Sequence, residues 1–408
     1  MRDRIAVPLE LDGFEVVSTE VVEGLLEVEV RSTSPACCYQ CGSVEVIGHG
    51  RNSRRLRDRS AAYPTVLVWQ QRRFRCRDCG RTSREKHRAV AGAKRITVRF
   101  LRHLGTLAIS QPWTDVAAYE RVSWWRVAAA FDLRAAGEPD YGGSPPRVLS
   151  LDESAFRRQF RYHTVVSDPQ GHGVLDMVEG RDQAAAEQAI SRLPQAWRQS
   201  VETVVIDCHW PYRKAVEHLL PQARLVADKF HVLRSVDAAA QKVRIRYSRR
   251  RTIRGRDGGI SRQHNPRFDP RVWRGRWTFM RRRHQLNDEE QAFLTDIFTT
   301  HPQIGVAWWM KEAFAAIYQA PNRVEAERRL QVWESNLPAA GLTELTQVWH
   351  TLSHWQNQIL NYFDDRQTNA YAEGITNKIK VLKRRGYGHR NPIRYRHKVL
   401  LACGRRPA

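Results

Sequence analysis

The chain has 408 residues, which is long enough for two to four domains with at least one sizeable hydrophobic core. Its 42% hydrophobic and 27% charged residues are typical of a soluble globular protein, and no stretch approaches the roughly 18 consecutive apolar residues of a membrane span. Lys and Arg total 67 against 43 acidic residues, a net charge of +24. This excess favours a polyanionic partner, usually nucleic acid, although a membrane surface or a ribosome is also compatible.

The N-terminal sequence MRDRIAVPLELDGFEV has acidic residues within its apolar stretch and no cleavage-site pattern, unlike a signal peptide. We therefore expect a cytoplasmic location. The seven cysteines agree with it, because four of them form two CxxC pairs. Reducing conditions favour metal binding over disulfides for such pairs.

Residues 1–90 alternate apolar and polar positions, which predicts a module of short strands. The two CxxC pairs lie within it: Cys38, Cys41, Cys76 and Cys79. Two such turns can direct four thiolates to one tetrahedral, structural Zn²⁺ ion. Gly42 and Gly80 follow the pairs directly, as expected where a turn needs positive φ. Cys37 is a weaker alternative to Cys38. The surrounding arginines predict contact with DNA phosphates, or alternatively a solvated basic face.

Residues 93–135 are predicted to be helical, and TDVAAYERVSWWRVAAAFDL within them is typical of a helix-turn-helix. Val122 would lie in the turn and Ser123 would cap the second helix. We expect inward-facing side chains at Val116, Ala117, Ala118, Val127 and Ala130. Trp124, Trp125 and Arg126 would begin the recognition helix, where base contacts are usually made. A helical hairpin with no role in DNA binding is the alternative.

The stretch AAGEPDYGGSPP predicts a linker, which we place at residues 136–146. Residues 147–235 then alternate strand and helix: three strands, a helix, a strand, a helix and a strand. That order is typical of a ribonuclease-H-like mixed α/β core. Asp152 and Asp207 are each predicted to end an apolar strand, a position where α/β proteins place reactive groups.

Residues 236–365 are predicted to be a helical, basic insertion. Its stretch 242–283 holds Lys242 and 15 Arg against two Asp, with Trp273 and Trp277 interleaved. We favour DNA contact for the arginines, with a solvated face as the alternative. We favour a core position for these two tryptophans over base stacking. Five further tryptophans are also predicted to be core residues: Trp308, Trp309, Trp333, Trp349 and Trp355.

Residues 366–408 are predicted to form one more helix and a basic tail. Helical spacing places Glu373, Asn377, Lys380 and Arg384 near one face. Lys380, Lys383 and Arg384 follow Glu373 closely, so we expect these three residues to contact DNA phosphates. Carboxylates from three distant segments, Asp152, Asp207 and Glu373, can together hold two Mg²⁺ or Mn²⁺ ions for phosphoryl transfer.

The chain contains the segments LSLDESAF, VVIDCHWPYRKAV, LVADKFHVLR and TNAYAEGITNKIKVLKRRGYGHRNPIRYRHKVL. Together they resemble bacterial insertion-sequence transposases of the DDE type, in the ISL group with an N-terminal four-cysteine module and a helix-turn-helix. The resemblance covers nearly the whole chain. It implies a ribonuclease-H-like catalytic core interrupted by a helical insertion between the second Asp and the Glu.

The resemblance implies that Asp152, Asp207 and Glu373 are the catalytic, magnesium-binding acids. Asp228 is the rival for the second acid, but the strand order favours Asp207. Asp228, His231 and Asn377 are expected to be accessory residues. The family often has a second Asn where Thr376 stands here, and often a Pro where Tyr39 stands.

The function expected from this resemblance is binding to the terminal inverted repeats of an element, followed by metal-dependent cleavage and strand transfer. Double-stranded DNA would be the partner, with a homodimer or larger assembly on it, near the nucleoid. No membrane partner and no small-molecule substrate are expected. The alternatives are another ribonuclease-H-like DNA nuclease and a non-catalytic, sequence-specific DNA-binding protein.

Overall fold

The computed structural model describes residues 11–60, 63–92, 95–137, 143–157, 161–248, 251–254, 260–263, 268–387, 389 and 391–405. The chain divides into two units, the first formed by Met1–Pro139 with Val381–Ala402, the second by Asp140–Lys380 with Cys403–Ala408. The central part of the predicted linker, residues 138–142, lies outside the described residues. None of the helices in the described residues is both long and apolar enough to cross a membrane.

The first unit contains a five-stranded sheet and a group of helices. Its elements are β1 (Phe14–Val22), β2 (Leu25–Ser32), β3 (Val46–Asp58), β4 (Thr65–Cys76), β5 (Thr82–Arg84), α1 (Val98–Ser110), α2 (Trp113–Tyr119) and α3 (Trp124–Ala135). The strands lie in the order β1-β2-β4-β3, with β5 on β4. The inward-facing positions that alternate along β2 and β4, among them Val28, Val30, Leu67 and Trp69, form a fully buried core. The alternation in the sequence therefore correctly predicted strands here.

Helices α1, α2 and α3 pack around Phe100, Leu104, Val127 and Phe131. Ser123 caps α3 as predicted, because its hydroxyl accepts a hydrogen bond from the Arg126 N–H at 3.3 Å. Four of the five residues expected to face inward are buried or half-buried; the exception is Ala118, which is exposed, so that part of the prediction is wrong.

The second unit begins with the sheet that carries the acids. Its elements are β6 (Val148–Arg157), β7 (Arg161–Asp168), β8 (Gly173–Glu179), α4 (Gln183–Ser191), α5 (Gln195–Ser200), β9 (Thr203–Ile206), α6 (Trp210–Leu219) and β10 (Arg224–Ala227). The strand order is β10-β9-β6-β7-β8. Strands β6, β9 and β10 are parallel, while β7 and β8 are antiparallel to their neighbours. The mixed α/β prediction is therefore confirmed.

A largely helical region follows. It contains α7 (Lys229–Ser248), β11 (Arg251–Arg254), β12 (Ile260–Gln263), α8 (Pro270–Arg274), α9 (Arg276–Met280), a short 3₁₀ helix (Arg283–Gln285), α10 (Asp288–Thr300), α11 (Pro302–Ile317), α12 (Arg323–Ser335), α13 (Leu337–Ala340), α14 (Thr343–Ser353), α15 (Gln356–Leu360) and α16 (Tyr362–Asp365). The expectation of helix throughout is wrong at β11 and β12, which pair as an antiparallel hairpin. The sequence Asp257-Gly258-Gly259 between these strands is the kind of composition that favours a turn.

The predicted core tryptophans separate into two groups. Trp308, Trp333, Trp349 and Trp355 are buried as predicted, but Trp309 is 48% exposed. Trp273 and Trp277, for which a core position was favoured, are 52% and 67% exposed, and the Arg276 guanidinium lies over both rings. A helical period indicates which residues share a face but not which face another helix covers.

The chain ends with α17 (Ala370–Arg385) and α18 (Pro392–Cys403). The expected basic tail is therefore wrong in part, because residues 392–403 form a second helix. Asn391 caps α18 by accepting a hydrogen bond from the Arg394 N–H at 3.1 Å, and Pro392 occupies the first helical position. Tyr395 and Val399, which lie one turn apart on the same face of α18, are both buried.

Candidate catalytic site and cysteine cluster

Three carboxylates lie side by side where the parallel ladders of three neighbouring strands end in the second unit's sheet. In the ladders, Leu151 pairs with Ile206 and Ile206 pairs with Ala227. The next residue of each segment is therefore an acid: Asp152, Asp207 and Asp228. Asp207 and Asp228 follow their strands directly, as predicted for Asp207. Asp152 does not end its strand, because β6 continues to residue 157 in antiparallel pairing with β7; it lies where the parallel ladder ends.

Asp152 is buried, with 8% of its surface exposed. Its Oδ2 accepts a hydrogen bond from the Thr376 hydroxyl at 2.6 Å, and its Oδ1 accepts one from the Glu153 N–H at 2.7 Å. Burial, with a further contribution from the negative charge of Asp207, raises the pKa of Asp152 to about 6 despite these donors. A dication nearby would offset the charge that this environment disfavours.

His231 lies between the other two acids. Its Nδ1 is 2.8 Å from Asp207 Oδ1 and 3.0 Å from Asp228 Oδ2. Hydrogen bonds to Asp207 and then Asp228 raise the pKa of His231 to about 10, so that the ring is an imidazolium at neutral pH. The ligand atoms of these three residues all lie within 4.8 Å of one another, a grouping that can hold a metal ion once the His231 ring is deprotonated.

Asp228 has a second set of contacts that Asp207 lacks. Burial opposes ionisation of Asp228, but hydrogen bonds from His231 and from the Asn369 N–H, the latter at 3.0 Å, outweigh it and lower its pKa. The Asn369 side chain in turn accepts a hydrogen bond from the Ser150 hydroxyl of β6. Asn369, which is fully buried, thus joins β6, the end of β10 and the start of α17.

Glu373 is half-buried in the first turns of α17 and lies one turn before Thr376. The Thr376–Asp152 hydrogen bond fixes α17 beside β6, so Glu373 belongs to the same helical face that meets the acid of β6. It does not belong to the compact grouping around His231. Asn377, Lys380 and Arg384 are exposed and Lys383 is half-buried.

The contacts of Thr376, Asn369 and Ser150 were not predicted from the sequence. Thr376 was noted only as a departure from the family pattern. Its position three residues after Glu373 is a signal that it shares that face. Nothing in the local sequence relates Ser150 to Asn369, because 219 residues separate them.

The four cysteines of the CxxC pairs converge in the first unit. Cys38 Sγ is 3.7 Å from Cys79 Sγ, and Cys41 Sγ is 3.7 Å from Cys76 Sγ. A tetrahedral Zn²⁺ with bonds of about 2.3 Å requires sulfur–sulfur distances of roughly 3.8 Å, so the cluster fits zinc. Cys37 lies outside the grouping.

Both turns of the cluster have the predicted backbone conformation. Gly42 has φ of +81° and Gly80 has φ of +69°, values that favour glycine. Backbone donors of Cys41 and Gln40 lower the pKa of the Cys38 thiol to about 6, which favours a thiolate there, whereas at Cys41 the Ser43 backbone donor is outweighed by hydrogen bonds with Cys79 and Cys38, which raise the pKa of that thiol to about 12. The cluster is therefore able to bind zinc.

Comparison with known proteins decides the family. A family model described as transposase, of the DDE type and ISL3 group, matches residues 149–399, more than half of the chain. The chain belongs to this transposase family. It is 27% identical over 359 residues to the transposase for insertion sequence element IS1001 of Bordetella parapertussis, covering 87% of this chain and 85% of that protein.

A second relative is more distant. The transposase for insertion sequence element IS1557 of Mycobacterium tuberculosis is 23% identical over 299 residues, covering 70% of this chain and 67% of that protein. The family match includes β6 to β10 and α17, and hence every acid discussed above. Membership of this family supports a transposase function and indicates DNA as the partner.

Proposed function

We propose that this transposase binds the terminal inverted repeats of its element and catalyses DNA cleavage and strand transfer with Asp152, Asp207 and Glu373. The observation that carries the proposal is the register of three parallel strands, which aligns Asp152, Asp207 and Asp228 at one sheet edge. The contact of α17 with Asp152 adds the segment that holds Glu373.

The catalytic core is proposed to be ribonuclease-H-like. Support comes from the strand order β10-β9-β6-β7-β8. Along the chain, β6, β7 and β8 come first and pair antiparallel; β9 and β10 follow, each after a helix, and extend the sheet in parallel. In this order the first and fourth strands of the core are neighbours. Their acids, Asp152 and Asp207, are therefore adjacent, and Asp228 is one strand further away.

Asp207 is proposed as the second catalytic acid and Asp228 as a positioning residue. Asp228 is 1% exposed and is held by Asn369 and His231, whereas Asp207 is half-buried at the site. Asp228 accepts from the Asn369 N–H, the His231 N–H and the His231 ring, one donor more than Asp152 accepts, which leaves it fewer lone pairs for a metal. Asp228 then orients His231, and through Asn369 it holds the start of α17.

The acids would hold two Mg²⁺ or Mn²⁺ ions, because carboxylate oxygens are hard ligands. When bound, such ions supply activation of the attacking hydroxyl and stabilisation of the leaving oxygen. Thr376 orients Asp152 through its hydroxyl, while the His231 imidazolium offsets the charges of Asp207 and Asp228. The four cysteines would hold a structural Zn²⁺.

DNA contact is proposed for the zinc module, for the helix-turn-helix and for the basic residues of α17. Trp124 and Trp125 are exposed at the start of α3, and Lys380 and Arg384 are exposed on α17. Arginines of the 242–283 segment and Lys383 would add phosphate contacts. Because two ends must be cut in concert, a dimer or larger assembly on DNA is proposed.

The test is Mg²⁺-dependent cleavage of labelled DNA that carries the element's own end. Wild type is compared with Asp207→Asn, with Asp228→Asn and with the control Glu153→Gln, which changes an acid that forms a surface ion pair with Arg181. We expect Asp207→Asn to abolish cleavage but to leave end binding intact. Asp228→Asn is expected to retain measurable cleavage, and the control to cut like wild type.

Three results would contradict the proposal in different ways. Cleavage by Asp207→Asn at the wild-type rate means that the acid assignment is wrong. End binding by wild type without cleavage favours a non-catalytic DNA-binding protein. Equal cleavage of DNA with and without the element end favours a nuclease that does not recognise ends.

A further inference from the structure

A cavity of about 460 Å³ lies in the first unit, between the start of α3 and the loop that joins α17 to α18. Its volume is in the range of small-ligand sites. Four aromatic residues line it: Trp113, Trp124, Trp125 and Tyr387. Among the described residues that line it, none is acidic, whereas Arg394 and Lys398 are cationic.

Some of the aromatic rings that line the cavity are fixed by contacts with their neighbours, and others are exposed. Trp113 is 5.3 Å from Trp124, and Trp124 is 5.0 Å from Trp125, centroid to centroid. Trp113 also donates a hydrogen bond to the Ala108 carbonyl at 3.0 Å, which fixes its ring. Trp125 and Tyr387 are 74% and 84% exposed, so their faces are accessible to a ligand.

Lys398 is the charged residue of this cavity whose environment indicates an anionic ligand. It is only 2% exposed, and its Nζ donates to the Gln111 carbonyl at 3.1 Å. An ammonium has three donors, and no described carboxylate lies within ion-pair distance. Burial lowers the pKa of Lys398 to about 8, which agrees with a cation that lacks a counter-charge.

Two further side chains complete the cavity. Arg394 is held over the Trp113 ring by a bidentate pair with Asp132, at 2.9 and 2.6 Å. His389 Nε2 is buried without a hydrogen-bond partner among the described residues. A neutral imidazole there can accept a hydrogen bond, for example from an exocyclic amine.

We propose that this cavity binds one unpaired nucleotide of DNA, with its base against the tryptophans and its phosphate near Lys398 and Arg394. Every base has a π-face that stacks on an aromatic ring, and a phosphate supplies the missing counter-charge. The inference rests on the proposed action on DNA. It assigns Trp124 and Trp125 to the capture of an unpaired base, rather than to reading base-pair edges.

The experiment measures the affinity of the full chain for two fluorescein-labelled duplexes by anisotropy at one fixed salt concentration. One duplex is fully paired, and the other has the same sequence with a single unpaired 2-aminopurine. Base stacking on an aromatic side chain predicts about tenfold tighter binding of the second duplex by wild type. Stacking also quenches the 2-aminopurine fluorescence.

Trp125→Ala and Tyr387→Ala are expected to lose this preference and the quenching, and Tyr387→Ala, which changes no residue of the helix-turn-helix, is expected to bind the paired duplex like wild type. Both residues are largely exposed, so their loss leaves the core unchanged. Tyr119→Ala is the matched control, since Tyr119 is an 82% exposed aromatic of the same unit that does not line the cavity. It should behave like wild type.

Equal affinity of wild type for the two duplexes would overturn the inference and leave the proposed function intact. Retention of the preference by both Trp125→Ala and Tyr387→Ala would overturn it as well. Failure of wild type to bind either duplex would contradict both the inference and the proposed function.

Discussion

Replacing Asp152 with Asn tests the charge balance of the candidate catalytic site through stability rather than through activity. Burial raises the pKa of this carboxyl from 3.8 to about 6. At neutral pH the folded state therefore carries an unfavourable buried charge, and the rise corresponds to about 3 kcal/mol as an upper value. Asparagine has nearly the same shape, its oxygen can still accept from the Glu153 N–H and its amide can donate to the Thr376 hydroxyl, so Asp152→Asn should be more stable than wild type.

The sign of the pH dependence follows from the raised pKa. Between pH values near 3.8 and about 6, the folded state binds the proton and the unfolded state does not, so wild-type stability falls as the pH rises. The advantage of Asp152→Asn should be greatest above about pH 7 and should vanish below about pH 4. Urea denaturation of both proteins across this range, without added Mg²⁺, measures the difference in the free energy of unfolding.

Glu153→Gln is the control, because the Glu153 carboxylate is 38% exposed and forms a surface ion pair with Arg181 at 3.5 Å. Such a pair contributes about 0–1 kcal/mol, so the control should unfold like wild type. Added Mg²⁺ should stabilise wild type but not Asp152→Asn. An unfavourable buried charge at Asp152 is ruled out if Asp152→Asn is less stable than wild type at neutral pH. It is also ruled out if the gain in the free energy of unfolding persists unchanged in acid.

Three further predictions concern the cysteine cluster, the helix that contacts the acid of β6, and the core of the second unit. Cys76→Ser should abolish zinc binding while Cys37→Ser keeps it, as measured by the zinc content of the purified proteins; retained zinc in the former means that the ligand set is wrong. Thr376→Val should slow cleavage of element-end DNA by about tenfold or more, since a buried carboxylate loses a donor, whereas Thr376→Ser should remain near wild type. Trp355→Ala should lower the free energy of unfolding by about 3–5 kcal/mol, whereas Trp309→Ala should cost far less; equal costs in urea denaturation would contradict the observed burial.

The strands and the cysteine cluster depend on local sequence pattern and could be predicted from the sequence. The apolar runs before Asp207 and Asp228 predict strands, and the CxxC spacing predicts a four-cysteine cluster, both of which the structure contains. Asn391 and Pro392 are likewise a local signal for the start of α18. These features are local because hydrogen bonding, capping and turn geometry involve residues a few positions apart.

Only the tertiary structure decided which of these segments meet. The register that aligns Asp152 with Asp207 joins residues more than fifty positions apart, and the Thr376–Asp152 hydrogen bond spans 224. The same holds for the exposure of Trp273, which depends on whether another helix covers its face. Side-chain burial and strand register are set by long-range packing, and a local period carries no information about it.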